Sequence, residues 1–179
     1  IGEARQVSRL IDILDEFDGL VLDGYGVINV GDGQIDGIAA LLDAANSKDK
    51  PVLVLTNGGS FSAEHTWKKY KNWQLPIARD DVISSRDAFV CDAGKRQTKL
   101  PGVIRTGCFG RNIEVLTGKN FLSYGHNDDF WQEADEFVFL GALDWHEEDQ
   151  AAFELAMITH PRRLHIANPD VTAPQADGS

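Results

Sequence analysis

Two short apolar runs, each followed by a polar residue and glycines, are the clearest strand signals in this chain. The first covers residues 19–22 and leads into Asp23, and the second covers residues 52–55 and leads into Thr56. Runs of this length, rich in Leu and Val and bounded by Gly or Pro, are typical of parallel strands buried on both faces. Both segments are therefore predicted to be strands that end in polar turns.

The segment between these strands predicts a hairpin followed by a helix. Residues 27–33 alternate β-forming side chains as far as an Asp-Gly pair, which is a signal for a tight hairpin. Residues 35–46 then carry apolar side chains at helical spacing. A strand, a helix and a second strand in this order form a right-handed crossover, so the two strands should be parallel and adjacent. Asp23 and Thr56 should then emerge side by side.

Helices and strands continue to alternate along the rest of the chain. A helix over residues 4–17 is predicted before the first strand and another over residues 61–73 after the second, with a boundary at residues 75–77. The later predicted elements are helices over residues 85–95, 111–116 and 147–158 and strands at residues 103–104, 137–140 and 163–167. This alternation indicates an α/β fold in both parts.

Composition and charge exclude several functional classes. The chain has 28 acidic and 17 basic residues, and its formal charge of −11 opposes binding to nucleic acid or to anionic membranes. No apolar run approaches the roughly 20 residues of a membrane helix, and the first residues lack the layout of a signal peptide. A cytoplasmic location is therefore favoured.

The cysteines and histidines give no sign of a disulfide or a metal site. Cys91 and Cys108 are expected to be reduced core residues, and the histidines show no metal-binding spacing.

The first strand with Asp23, the glycine-rich turn and hairpin, and the second strand with Thr56 and Asn57 resemble the first two motifs of the haloacid dehalogenase-like (HAD) hydrolase superfamily. Thr56 follows Asp23 by about 33 residues, which leaves no room for a cap domain between the motifs. The chain thus resembles class IIA, in which the cap follows the second motif, with p-nitrophenyl-phosphatase-like and sugar-phosphatase-like members. Residues 81–85 and 165–170 are similar to segments at the cap entry and at its substrate-facing loop.

This resemblance implies a domain organisation. The N-terminal part of a Rossmann-like, parallel-sheet core is expected in residues 1–75, and an inserted α/β cap of the C2 type in residues 76–170. Residues 171–179 would begin the return to the core. Family members carry a lysine motif and an acidic motif after the cap, and neither is found after Asp170. The chain is therefore expected to be the N-terminal part of a longer protein.

The resemblance also implies a function, namely a Mg²⁺-dependent phosphatase that acts on a small phosphorylated metabolite through an aspartyl-phosphate intermediate. Asp23 would be the nucleophile, and Thr56 would hold the phosphoryl group. The Asp23 carboxylate and the backbone carbonyl of Tyr25 would bind Mg²⁺. Residues expected to contact the substrate are Gly24, Tyr25, Asn57, Gly58, Asn168 and Asp170. The resemblance leaves open whether the protein forms a homodimer through the cap.

Tyr25 is the main departure from the family pattern. Phosphatases of the superfamily usually carry a second Asp two positions after the nucleophile, which protonates the leaving group and then activates water. A Tyr there is similar to the haloacid dehalogenases themselves, but those place their cap before the second motif. A phenol, with an ordinary pKa of about 10, is a poor base at neutral pH. One alternative is therefore a catalytically weak or inactive protein that binds phosphorylated ligands or a partner.

A dinucleotide-binding site is the other alternative. Gly24 and Gly26 after a strand match the start of the G-x-G-x-x-G fingerprint, and Asp43 follows at about the expected distance of 20 residues. The third glycine position, however, is Asn29, and a hairpin is predicted where a helix must begin. The pattern therefore favours the hydrolase interpretation.

Overall fold

The computed structural model describes residues 6–97, 102–112, 120–125, 129–141 and 145–169. The strands and helices in chain order are β1 (Leu20–Asp23), β2 (Asn29–Val30), β3 (Gly33–Gln34), α1 (Ile38–Ser47), β4 (Val52–Thr56), α2 (Ala63–Asn72), β5 (Val82–Ser84), α3 (Ser85–Gln97), β6 (Thr106–Phe109), β7 (Phe121–Ser123), α4 (Phe130–Glu133), β8 (Glu136–Phe139), α5 (Glu147–Thr159) and β9 (Arg163–Ile166).

The described residues divide into two compact units. The first comprises residues 6–56 and 63–83, and the second comprises residues 57–62 and the described residues from 84 to 169. The assignment of residues 1–75 to a core and 76–170 to a cap stays a prediction.

A three-stranded sheet with the order β1, β4, β5 forms the centre of the first unit. Strands β1 and β4 pair in parallel, with Leu20 opposite Val52 and Asp23 opposite Leu55. The prediction of two adjacent parallel strands is confirmed. Because α1 lies between them in the chain, both strands end at the same edge of the sheet.

Strands β1 and β4 bury only one of their faces among the described residues. Leu20, Leu22 and Val54 belong to the core of the first unit, whereas Val21 is 65% exposed and Leu55 is 44% exposed. Successive side chains of a strand point to opposite faces, so this alternation means that one face of the sheet packs on the core and the other is open. The expectation that both faces are buried is therefore wrong for this part of the chain.

The hairpin after β1 is confirmed, with a shifted turn. Strands β2 and β3 pair antiparallel, and Val30 lies opposite Gly33, so the two loop residues are Gly31 and Asp32. Gly31 has a φ of 55°, a left-handed conformation that glycine adopts without steric cost. The helix predicted over residues 4–17 differs in the structure: of its described residues, 6–17, only residues 10–16 are helical, in a 3₁₀ conformation.

The second unit contains a four-stranded sheet with the order β7, β6, β8, β9, and all its pairs are parallel. One of its cores is a cluster of aromatic rings around Phe109, whose centroid lies 5.0 Å from that of Trp145 and 5.3 Å from that of Phe130. Parallel strands alternating with helices confirm the α/β prediction for this part of the chain.

Two strands of the second unit differ from the prediction. The strand expected at residues 103–104 lies at β6, a few residues later, and β7 was not predicted. All four residues of β6 are buried, although they include Thr106 and Gly107, which carry no apolar signal in the sequence. The helix expected over residues 111–116 falls largely on residues 113–119, which lie outside the described residues.

The two cysteines are free, as expected, but only one is buried. Cys108 lies in the core, and burial raises the pKa of its thiol to about 12. Cys91 is exposed on α3, so the expectation of a core position is wrong for it. Among the described residues, we find no helix with the length and apolarity needed to cross a membrane.

A buried carboxylate, Glu136, organises a polar network in the second unit. Its side chain is 6% exposed and lies 2.6 Å from Nη1 of Arg96 and 3.0 Å from Nε2 of His165. Thr106 donates a further hydrogen bond of 3.0 Å to the carboxylate. Burial alone would raise the pKa of Glu136, but the hydrogen bonds from Arg96, His165 and Thr106 together lower it below the ordinary value of 4.5.

We expect Glu136→Gln to destabilise the protein by about 2 kcal/mol at pH 7, because a charged hydrogen-bonded pair is lost. A carboxyl group with a depressed folded-state pKa contributes stability above its unfolded pKa and loses it as pH falls through the folded value. The difference in the free energy of unfolding between the parent protein and Glu136→Gln should therefore be largest at pH 7 and should shrink below pH 4.5. Urea unfolding at several pH values measures it.

Asp92→Asn is the matched control for this prediction. Asp92 also pairs with Arg96, at 2.7 Å, but its side chain is 60% exposed. An exposed pair contributes about 0–1 kcal/mol, so this variant should change stability little at any pH. An equal effect of both variants would contradict the role of Glu136.

The segment after β4 is bound tightly into the second unit. A Cβ atom on Gly59 would lie 2.3 Å from the carbonyl oxygen of Leu140. Arg86, which is 1% exposed, donates to the carbonyl of Ser60 at 3.0 Å, and the side-chain amide of Asn112 donates to the same oxygen at 3.0 Å. Only glycine therefore fits at position 59.

Gly59→Ala should destabilise the protein by about 3 kcal/mol, because the new methyl group meets a backbone carbonyl that cannot move aside. Gly94→Ala is the control, since a Cβ at this helical position meets nothing within 4 Å. The control should be neutral or stabilising by about 0.5–1 kcal/mol. Denaturant unfolding measures both, and similar midpoints for the two variants would contradict the close contact at Gly59.

Candidate active site

Asp23 is the last residue of β1 and lies at the edge of the sheet where ligands of parallel α/β sheets bind. The residue before it, Leu22, is 6% exposed and anchors the strand in the core. Asp23 itself is exposed, because it points to the opposite face of the strand. The fold thus presents a carboxylate to solvent from a fixed strand end.

The turn after Asp23 closes on itself through backbone hydrogen bonds. The amide of Gly24 donates to Oδ1 of Asp23 at 2.6 Å, and the carbonyl of Gly24 accepts from the amides of Ile28 at 2.9 Å and Asn29 at 3.1 Å. The amide of Gly26 donates to the carbonyl of Asn29 at 2.7 Å, and Gly26 has a φ of 83°. One oxygen of the carboxylate is therefore held beside the backbone amide of Gly24, a donor that favours negative charge there.

Thr56 borders this turn from the neighbouring strand. It follows Leu55, the register partner of Asp23, and its Oγ1 lies 3.2 Å from the place where a Cβ of Gly24 would stand. The absence of a side chain at Gly24 allows this close approach. The structure therefore brings Thr56 against the residue next to Asp23, and its catalytic role stays a prediction.

Tyr70 of α2 also reaches this turn and was not among the predicted site residues. Its side chain is fully buried, and its hydroxyl lies 3.0 Å from the position of a Gly24 Cβ. Burial, and next the negative charge of Asp23, raise the pKa of Tyr70 to about 12. Tyr70 packs in the core, and nothing in the local sequence pattern reveals the contact of its hydroxyl.

Tyr25 is half-buried within the turn, at the position where a second acidic residue was expected from the family pattern. It forms an isolated parallel bridge with Asn29, in which the carbonyl of Gly24 and the amide of Gly26 make the hydrogen bonds. The bridge fixes the backbone at Tyr25 independently of its side chain. A substitution at this position should therefore preserve the turn.

Three other residues predicted to contact the substrate belong to the second unit. Asn57 and Gly58 follow Thr56 directly but are part of the second unit, as is Asn168, which comes after β9. Asp170 lies outside the described residues. Substrate contact at these four positions stays a prediction.

The described residues contain no cluster of three or more His, Cys, Asp or Glu side chains that could hold a metal ion. The donors available at this site are oxygens, namely the Asp23 carboxylate and the backbone carbonyl predicted at Tyr25. Mg²⁺ prefers oxygen ligands and is commonly bound by one or two carboxylates together with substrate phosphates and water. The donors at this site are therefore of the type that Mg²⁺ prefers.

Known proteins similar to this chain include several phosphatases. The acid sugar phosphatase of Staphylococcus aureus is 22% identical over 165 residues, which are 92% of this chain and 61% of that protein. A possible sugar phosphatase from Cytophaga hutchinsonii has a similar structure, with a TM-score of 0.75 and 19% identity over 98% of this chain and 63% of that one. Glycerol phosphate phosphatase from Mycobacterium tuberculosis, in complex with magnesium, gives a TM-score of 0.64 and 21% identity over 93% of this chain and 48% of that one.

These likenesses confirm the predicted α/β fold with a Rossmann-like core. The chain spans 61% of the length of the acid sugar phosphatase. A sequence profile of haloacid dehalogenase-like hydrolases matches residues 20–122, from the first residue of β1 into β7 and including Asp23 and Thr56. This chain therefore belongs to the haloacid dehalogenase-like hydrolase family.

Proposed function

We propose that this protein is a Mg²⁺-dependent phosphatase that hydrolyses a small phosphorylated metabolite through an aspartyl-phosphate intermediate. The observation that carries the proposal is the exposed carboxylate of Asp23 at a fixed strand end, beside the backbone amide of Gly24 and with Thr56 against the same glycine. Membership of the family, and phosphatases among the similar proteins, support this reaction class. The net charge of −11 disfavours nucleic acid as the ligand.

In the first step, a carboxylate oxygen of Asp23 attacks phosphorus, and the bond between phosphorus and the ester oxygen breaks. Covalent catalysis of this kind divides one difficult displacement into two easier ones. The Thr56 hydroxyl would meet the charge on the phosphoryl oxygens. The leaving oxygen takes a proton, for which the Tyr25 phenol is the donor proposed within the turn.

In the second step, water attacks the aspartyl-phosphate, releases inorganic phosphate and restores the Asp23 carboxylate. A base that accepts the proton of this water would accelerate the step. The phenolate that Tyr25 leaves after it donates its proton takes another from solvent at neutral pH, because an ordinary phenol has a pKa of about 10, and it is then no base for the water. We therefore propose that hydrolysis of the intermediate limits turnover in this protein.

A bound Mg²⁺ would neutralise phosphoryl charge, as hard cations do in phosphoryl transfer. Asp23 and the backbone carbonyl of Tyr25 are the residues of this chain that would hold it. The protein's own contribution is to fix Asp23 at the strand end and to keep the turn closed by the hydrogen bonds at Gly24 and Gly26.

A screen of small phosphate esters tests the proposal. The longest form of the protein that can be produced is incubated with p-nitrophenyl phosphate, glycerol phosphate and a sugar phosphate, with Mg²⁺ or with EDTA, and released phosphate is measured. Phosphate release that requires Mg²⁺ is expected. Binding of the esters without release would overturn the proposal in favour of a phosphometabolite-binding protein.

A further inference from the structure

Asn29 joins the turn after Asp23 to the hairpin that follows it. It is 4% exposed; its backbone amide donates to Gly24 and its carbonyl accepts from Gly26. Its side-chain amide donates to the carbonyl of Gly31 at 3.1 Å. One buried residue thus makes hydrogen bonds to both ends of the turn and to the hairpin loop.

The side-chain oxygen of Asn29 faces Tyr70. The Tyr70 hydroxyl donates to Oδ1 of Asn29 in a long hydrogen bond of 3.4 Å. The same hydroxyl lies beside Gly24, at 3.0 Å from the position of a Cβ. Because Tyr70 is fully buried on α2, the hydroxyl has a fixed position relative to the turn.

We propose that Tyr70 is a positioning residue that holds the Asp23 turn through Asn29 and Gly24. It does not touch the reacting atoms, and its hydroxyl links a helix of the core to both the closing residue of the turn and the residue next to Asp23. A nucleophile displaced by a fraction of an ångström loses rate because the reacting atoms are no longer aligned. The kinetic part of this inference rests on the proposed phosphatase activity.

Amide hydrogen exchange tests the inference without any need for turnover. Tyr70→Phe keeps the ring that fills the core and removes only the hydroxyl. The amides of Gly26, Ile28 and Asn29, which close the turn, should then exchange about three- to tenfold faster, as expected from the loss of one hydrogen bond. Amides in β4 should keep their protection.

Tyr124→Phe is the matched control. It removes a hydroxyl that donates to Asp149 at 2.6 Å in the second unit. The control should leave exchange of the turn amides unchanged. Unchanged exchange in Tyr70→Phe, or an equal increase throughout the first unit, would overturn the positioning role.

A second variant tests the contact with Gly24. Gly24→Ala places a methyl group 3.0 Å from the Tyr70 hydroxyl and 3.2 Å from the side chain of Thr56, and Tyr70→Phe relieves the first, shorter contact only. In the double variant, the turn amides should therefore exchange more slowly than the summed effects of the two single substitutions predict. The two substitutions are not additive because they change atoms that contact each other. Additive effects would show that the hydroxyl does not restrain Gly24, and would overturn this part of the proposal.

The kinetic readout separates positioning from simple packing. In Tyr70→Phe, kcat should fall about tenfold while KM changes less than about twofold, because the substrate still binds and the nucleophile is misaligned. Unchanged kcat together with faster exchange would overturn the catalytic consequence. Absence of turnover in the parent protein would refute the proposed function instead, and the exchange measurement would still decide the role of Tyr70.

Discussion

Asp23→Asn should reduce phosphate release by about 10⁴-fold or to the detection limit, since an amide is not a nucleophile for phosphorus and no other group can replace it. The fold should be preserved. Asp23 is exposed, and the Asn side chain keeps an oxygen that can accept the hydrogen bond from the Gly24 amide. Initial rates with the best ester from the screen, together with thermal unfolding, measure both expectations.

Asp43→Asn is the control for this prediction. Asp43 is an exposed carboxylate on α1 and is not part of the turn, so the same chemical change there should leave turnover within about twofold of the parent. Asp23→Asn with unchanged turnover would end the assignment of Asp23 as the nucleophile.

Tyr25→Asp should raise turnover of phosphate esters by about 10³-fold, within the range that a positioned general acid and base contributes. A carboxylate at this position can accept a proton from water at neutral pH, which a phenol cannot do efficiently. The turn should persist, because the bridge at this position is made by the backbone of Gly24, Gly26 and Asn29. Steady-state rates and the rate of phosphate release after a single turnover measure the effect.

Tyr25→Phe tests whether the Tyr25 phenol donates a proton to the leaving group. If Tyr25 protonates the leaving group, this variant should lose turnover of alkyl phosphates, which need that proton, more than turnover of p-nitrophenyl phosphate, which needs it less. Tyr25→Asp without an increase in rate would contradict the conclusion that the missing carboxylate limits hydrolysis.

Several elements were predictable because their signals are local. Strand β1, the hairpin after it, α1 and β4 each carry an apolar run, a turn signal or a helical period within a few residues. The crossover rule then makes the two strands parallel neighbours, as the register between β1 and β4 confirms. The sequence alone therefore predicts that Asp23 and Thr56 lie at one edge of the sheet.

Other features could not be predicted because their signals are not local. Strand β6 contains Thr106 and Gly107, and it is a strand because the two flanking strands pair with it and an aromatic cluster covers it. Gly107 is required there, since a Cβ would lie 2.7 Å from the Phe137 ring. Tertiary packing overrides a weak local preference at such positions.

The contact of Tyr70 with the Asp23 turn, at the candidate site, could not be predicted from the local sequence either. A helical pattern predicts that Tyr70 faces the core, but the partner of its hydroxyl depends on where α2 packs. The exposure of Val21 and Leu55 likewise follows from which face the described core covers.

The amino-acid sequence by itself determined the family, the order of the strands around Asp23 and the residue types at the strand ends, because short-range patterns encode strands, turns and helices. Only the tertiary structure decided that Gly24 lies against Thr56 and Tyr70, that Asn29 closes the turn, and that residues 57–62 belong to the second unit. These contacts join segments far apart in the chain, and their geometry is set by the packing of whole elements rather than by any local pattern.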